Sequence, residues 1–401
     1  MEPSGDMWMA AQLWTALGAI SVVHGAQDAL GWLGQAQHQF ERCKDTYGQA
    51  MVRLWQAIWW QRGEQSANAL PHIDAVLALV QQHDYAGLLT GATLLGPRDR
   101  MMLVPILLTA RADQRWHVPA QHWLADGFPA IAADYDTESY HPGSTLRIQT
   151  LGTLRVWRGM AEIAPREWRR KKAALLLALL ITNRHRWLLR DQICEWLWPD
   201  ETPAEAVGQL KVTLHALNTA LEPARPARTQ PFYIRRQDET YRFVALDGVW
   251  LDVEEFEARV AAAQAAADKG TNDDIQHALA TLMLAVGMYG GEYLSEYLYE
   301  EWSQNERERL RPVYLEAVTL LAELLIRSQR ITEAIQFGEL IVARNPAWED
   351  GYRLLIEAYT LQGNRQQALA TYERCVRNLQ THLGVAPLPR TTLAYEAVKR
   401  A

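Results

Sequence analysis

Apolar residues recur at helical spacing through most of the chain, and where that spacing breaks, other elements are predicted. Ala29, Leu33, Ala36 and Phe40 form one stripe. After the turn-like KDTYG, Ala50, Leu54, Ala57 and Ile58 form the next, and Ile73, Val76, Leu77 and Val80 a third. Helices are expected to continue through LVPILLTARA and PAQHWLADGF, with Pro105 and Pro119 at breaks or first turns. Residues 134–145 (DYDTESYHPGST) are polar, hold Pro142 and Gly143, and read as a linker.

The pattern then changes. Over 146–164, Leu146, Ile148, Leu151, Leu154, Val156 and Ile163 stand among polar residues, with Gly152 and Gly159 at turns, which predicts a small antiparallel sheet. Ala173, Leu176, Leu177 and Leu180 begin a helix, and Ile193, Trp196 and Leu197 mark a second. A third repeats Leu210, Leu214, Leu217 and Leu221 at steps of four, three and four. Two strand-like runs, Phe232 to Arg236 and Thr240 to Val244, are joined by QDE as a hairpin. Strands, three helices and a closing hairpin spell a winged helix, whose third helix would be offered to a DNA major groove.

Helices return over 252–401, now with a countable repeat. Ala334 recurs as Ala368, and Leu320 and Leu321 recur as Leu354 and Leu355, all at an offset of 34 residues. That is the tetratricopeptide period, and the helix pairs of the first 140 residues suggest similar packing at a less regular spacing. The predicted fold class is therefore mainly α, with tetratricopeptide-like repeats flanking a central α+β winged helix. The expected domains are 1–140, a sensor or docking domain; 146–246, the winged helix; and 250–401, the second repeat domain.

Charge sharpens this reading. The 401-residue chain has a net charge of −7, but residues 146–245 hold 17 Lys+Arg against 10 Asp+Glu, a net of +7. One basic segment between two acidic ones suits a nucleic-acid module on protein-binding arms, although charge also varies between domains by chance. Three groups in it are candidate DNA contacts. Arg169, Arg170, Lys171 and Lys172 head the first helix and would meet phosphates. Gln209, Lys211, Thr213, His215 and Asn218 would reach base edges from the third helix. Arg235 and Arg236 on the hairpin would enter a minor groove or clamp the backbone. Each group also has a plainer reading as a solvated face.

Other chemistry finds little support. None of the six lysines follows a glycine, so the phosphate-binding loop of nucleotide hydrolases is excluded. No HExxH or GxSxG motif occurs. His117 and His122 near Asp113 and Asp126 form only a weak metal pattern against ordinary surface histidines. No catalytic residue, cofactor or metal is expected, and the chain is not read as an enzyme. The cysteines Cys43, Cys194 and Cys375 lie far apart, no run is long enough to span a membrane, and the N-terminus is acidic, so a cytoplasmic location is expected. Trp32, Trp55, Trp59 and Trp60 either line a ligand groove or pack between helices.

The strings RxWRRKKAALLLALL, LWPDETPAEA, LKVTLHALNTALEP and DVEEFEAR together resemble the Streptomyces antibiotic regulatory protein family of transcription activators. In that family an OmpR-type winged helix precedes a helical bacterial transcriptional activator domain, matched here by GGEYLSEYLYEEWSQNERERLRPVYLEAVTLLAELL and the segment from Asn345 onward. The resemblance covers about 146–396. It implies binding of double-stranded promoter DNA, contact with RNA polymerase, and a homodimer or tandem assembly on repeated sites. The first 140 residues resemble MalT-type helical repeats, which would make the chain the output half of a larger switch. Two departures stand out: Ala216, Asn218 and Thr219 where many members carry arginines, and Gln237, Asp238 and Glu239 where many place wing glycines. The competing expectation is an interaction scaffold whose winged helix binds protein.

Overall fold

The computed structural model describes residues 4–63, 68–134 and 140–400, with side chains from Met7 onward. Helices α1 (Ser4–His24), α2 (Ala29–Cys43), α3 (Thr46–Arg62) and α4 (Ala69–His83) open the chain as antiparallel neighbours. Each of the three stripes read from sequence is buried: Leu33, Phe40, Leu54, Ile58, Val76 and Leu77 are all at most 1% exposed. Asp45 caps α3 by accepting from the Gly48 amide at 2.9 Å, which satisfies an N–H the helix cannot. Short α5 (Gly87–Thr90), α6 (Val104–Ala112), α7 (His117–Gly127) and α8 (Pro129–Ala133) complete this layer. Trp55 is buried and donates to the Leu95 carbonyl at 2.7 Å, and Trp59 and Trp60 pack partly buried on the same core. These tryptophans serve chiefly as packing.

The next segment alternates strands and helices. Strands β1 (Leu146–Gln149), β2 (Arg155–Arg158), β3 (Ala161–Glu162) and β7 (Val249–Leu251) form one sheet in the order β3-β2-β1-β7. Helices α9 (Lys171–Thr182), α10 (Arg190–Leu197) and α11 (Pro203–Leu221) follow. Strands β4 (Leu188–Leu189), β5 (Ile234–Gln237) and β6 (Thr240–Phe243) form a second sheet, β4-β6-β5. In its hairpin Arg235 pairs with Arg242 and Gln237 with Thr240. The turn holds Asp238 at φ 52°, a left-handed conformation that Asp tolerates better than most residues.

The chain divides into two compact units. The first comprises residues 1–148 and 155–250, so the N-terminal helices and the strand-and-helix segment pack as one body. Three acids tie them together. Asp99 accepts from the Thr145 amide at 2.7 Å, Asp247 from the Ala130 amide at 2.7 Å, and Asp134 pairs with Arg235 at 2.5 Å. Part of the linker expected over 134–145, residues 135–139, lies outside the described residues. Its remainder is not loose: His141 is 4% exposed and its ring meets Phe232 edge-on at 4.5 Å.

The second unit comprises residues 149–154 and 251–401. Its helices are α12 (Asp252–Lys269), α13 (Asn272–Met288), α14 (Glu301–Arg327), α15 (Ile331–Arg344), α16 (Glu349–Leu361), α17 (Arg365–His382) and α18 (Pro389–Arg400). Ala334 and Ala368 are buried at matching places in α15 and α17, whose first residues are also 34 apart. Gly338 and Gly351 let α15 and α16 close up: a Cβ on Gly351 would meet Ile341 at 2.7 Å. Segment 149–154 is strapped to this unit by Asp252, whose carboxylate accepts from the Thr150 and Leu151 amides, each at 2.7 Å. The fold is thus mainly α, with helix pairs before and after a small α+β segment in sequence.

Candidate nucleic-acid interface

Helix α11 is fixed at both ends. Thr202 accepts from the Glu205 amide at 3.5 Å while the Glu205 carboxylate accepts from the Thr202 amide at 3.2 Å, and Pro203 presets the first turn. At the other end Glu222 accepts from the Phe232 and Tyr233 amides at 2.9 and 3.1 Å, tying the helix to the approach to β5. Burial pushes the Glu222 carboxyl up to about 7, against the opposing pull of those amides and Arg225. Between these anchors Leu210, Leu214, Leu217 and Leu221 face inward. Gly208, Lys211, Val212 and His215 form the open face.

Two residues expected on that face are buried instead. Thr213 is 1% exposed and Asn218 is 9% exposed, because both flank the leucine stripe and α9 and α10 cover more than the stripe's centre. Neither can reach a base edge. Gln209 is half-buried and accepts from Arg170 at 3.2 Å. That bond joins α11 to the basic cluster at the start of α9.

The cluster itself is divided. Arg169, Arg170 and Lys171 are exposed, and Arg166 beside them is exposed as well. Lys172 is not a free cation: its ammonium donates to the Leu197 carbonyl and lies 5.0 Å from the centre of the Trp198 ring, closing the end of α10. Arg169 adopts φ 58°, which turns the chain from the preceding short 3-10 turn into α9. The first turn of α9 carries no acid, so the cations stand beside the positive end of the helix dipole. Such crowding is unfavourable for the isolated helix and favourable for a bound anion.

The hairpin arginines also part company. Arg235 is turned inward, 11% exposed and ion-paired with Asp134, which removes it from the expected contacts. The cause is a partner 101 residues away that no local pattern announces. Arg236 stays exposed, braced by the Asp238 carbonyl at 2.6 Å and by the Tyr241 ring. At the turn, Glu239 is paired with Arg190 at 2.6 Å. Arg166, Gly208 and Val212 were missed from sequence. Arg166 lies within the RxWRRKK string, and Gly208 and Val212 fall opposite the leucines in the α11 repeat.

Among the described residues no three His, Cys, Asp or Glu side chains cluster as a metal set would, and His117 is hydrogen-bonded to the Arg111 carbonyl at 2.8 Å. No helix is long and apolar enough to cross a membrane, again among the described residues.

Comparison with known proteins places the second unit. Residues 251–399 match the bacterial transcriptional activator domain. The chain is 26% identical over 263 residues to the regulatory protein AfsR of Streptomyces coelicolor, covering 66% of this chain and 24% of AfsR. It is 24% identical over 229 residues to the transcriptional regulatory protein MoaR1 of Mycobacterium tuberculosis, covering 57% of this chain and 72% of MoaR1. Its fold is similar to that of Mycobacterium tuberculosis EmbR, solved in complex with a low affinity phosphopeptide. The TM-score is 0.56 at 24% identity, over 64% of this chain and 65% of EmbR. The matched stretch thus spans about a quarter of AfsR and about two thirds of EmbR. The chain carries a bacterial transcriptional activator domain over residues 251–399 and is related to bacterial transcription regulators.

Proposed function

We propose that the chain is a DNA-binding transcription regulator, in which α9, α10, α11 and the β5–β6 hairpin act as an OmpR-type winged helix on duplex DNA. One observation carries this reading. The open face of α11 is continuous, through the Arg170–Gln209 bond, with the exposed cations at the start of α9. Phosphates would sit against Arg166, Arg169, Arg170 and Lys171, while Gly208, Lys211 and His215 approach base edges in the major groove. Arg236 would hold the backbone beside the hairpin. The activator domain would then present its helical surface to RNA polymerase, so that DNA binding becomes recruitment. In this reading the first helices serve as a docking or sensing arm, in the manner of a MalT-like region.

The experiment is a gel shift with DNA from the chain's own upstream region at two salt concentrations, using wild type and the double variant Arg170→Ala/Lys171→Ala. Loss of two phosphate contacts is expected to weaken binding to all sequences alike and to make the salt slope shallower by about 2. An unchanged slope would remove the cluster from the interface.

One observation favours a second reading, in which the same face binds protein. Val212 is 47% exposed in the middle of it, and an aliphatic group there suits a protein surface as well as a thymine methyl. Absence of any shift with duplex at low salt would support that alternative.

A further inference from the structure

Helix α1 buries Ala11, Thr15 and Val22 against its neighbours, and Gly18 there lets Leu33 approach. Its opposite side is also apolar. Met9 is 61% exposed, Leu13 61%, Leu17 44%, Ile20 58% and Val23 39%. From Met7 to Gln27 the sequence holds no Asp, Glu, Lys or Arg. Single exposed aliphatics are ordinary, but five in one stripe on an uncharged helix mark a contact surface.

We propose that this stripe pairs two copies of the chain, α1 against α1, antiparallel about a two-fold axis. The spacing is self-complementary. Met9, Leu13, Leu17 and Ile20 follow at steps of four, four and three. In an antiparallel pair centred near Thr15, Leu13 of each copy meets Leu17 of the other, and Met9 meets Ile20. An isologous contact requires this match of a patch with itself. Half-buried Ala16 and Ala19 beside the stripe allow the helices to approach closely. With no charge on either surface, identical copies meet without like-charge repulsion, and neither leaves a charge unpaired. The five side chains offer roughly 500 Å² per copy and about 1,000 Å² per pair, the lower bound for a specific interface, so the dimer is dissociable. A membrane surface fits less well, because interfacial helices border their apolar face with Lys and Arg and this one has none.

The test is sedimentation velocity of the full chain without DNA, so that it stands or falls apart from the DNA reading. The weight-average mass is expected to rise from one chain to two between about 1 and 100 µM. Leu13→Glu/Leu17→Glu should remain a monomer throughout. Its far-UV helix signal should be unchanged, since both side chains already face solvent. A wild type that is monomeric at the top concentration, or a glutamate variant that still dimerises, overturns the proposal. So does a chain that stays monomeric but co-sediments with phosphatidylcholine or phosphatidylserine vesicles. Orientation is read in a Cys43→Ser background by mixing Leu13→Cys chains with Leu17→Cys chains. Faster disulfide cross-linking in the mixture than in either chain alone is expected, and the reverse overturns the antiparallel register.

Discussion

Two buried titratable residues near the end of α11 give the first unit a pH response whose sign can be worked out. Burial raises the Glu222 carboxyl to about 7 from 4.5, and burial lowers the His141 imidazole to about 3 from 6.5. A raised carboxyl contributes stability that is present below pH 4.5 and is lost as pH rises through 7. A depressed histidine contributes stability that is present above pH 6.5 and is lost as pH falls toward 3. Between pH 4.5 and 6.5 the two slopes cancel, giving a plateau with losses on either side. Glu222→Gln keeps an oxygen for the Phe232 and Tyr233 amides but removes one titration. Its stability is expected to rise with pH between 4.5 and 6.5, by roughly 2–3 kcal/mol, where wild type is flat. Urea denaturation at pH 4.5, 5.5, 6.5 and 7.5 checks this, and parallel wild-type and variant profiles would remove Glu222 as the source.

The helices of both units follow from periodicity because their cores are built from local stripes. The 34-residue offset of Ala334 and Ala368 locates two equivalent helices, since one repeat must stack on the next to bury its face. The contact surface of α11 was only half legible. Its leucines mark the centre of the buried side, but a packed helix covers an arc wide enough to take in Thr213 and Asn218 as well. The loss of Arg235 to Asp134 and of Lys172 to Leu197 depends on chain segments that sequence spacing does not bring together. Glycine shows the same division between local and tertiary causes. Gly287 is an exposed residue of α13 with open space where a Cβ would be, whereas Gly351 abuts Ile341 and Val342. Gly287→Ala is expected to gain about 0.5–1 kcal/mol from helix propensity. Gly351→Val is expected to lose about 1–3 kcal/mol by forcing α15 from α16. Denaturant midpoints followed by circular dichroism compare them, and equal midpoints would mean that α15 and α16 are not in close contact.

For the molecule as a whole, the basic segment must act within an acidic chain, and salt decides which of these the duplex feels. Residues 1–145 carry a net charge of −6 and residues 246–401 a net charge of −8, against +7 between them. At physiological ionic strength charges beyond about 8 Å are screened, so the exposed cations of the proposed interface act on adjacent phosphates alone. If four or five of Arg166, Arg169, Arg170, Lys171, Lys211 and Arg236 each neutralise one phosphate, log K should fall against log salt with a slope of about −4. Below about 0.02 M salt the screening length exceeds 20 Å, and the acidic segments then repel the duplex together with its own charge. Affinity should therefore stop rising, and the plot should bend toward a plateau where a purely basic protein continues upward. Fluorescence anisotropy with a labelled duplex from 0.01 to 0.3 M salt would show both regimes. A slope near −1 throughout would mean that the cations do not hold phosphates, and a straight line of slope −4 would mean that the acidic segments lie beyond reach of the DNA.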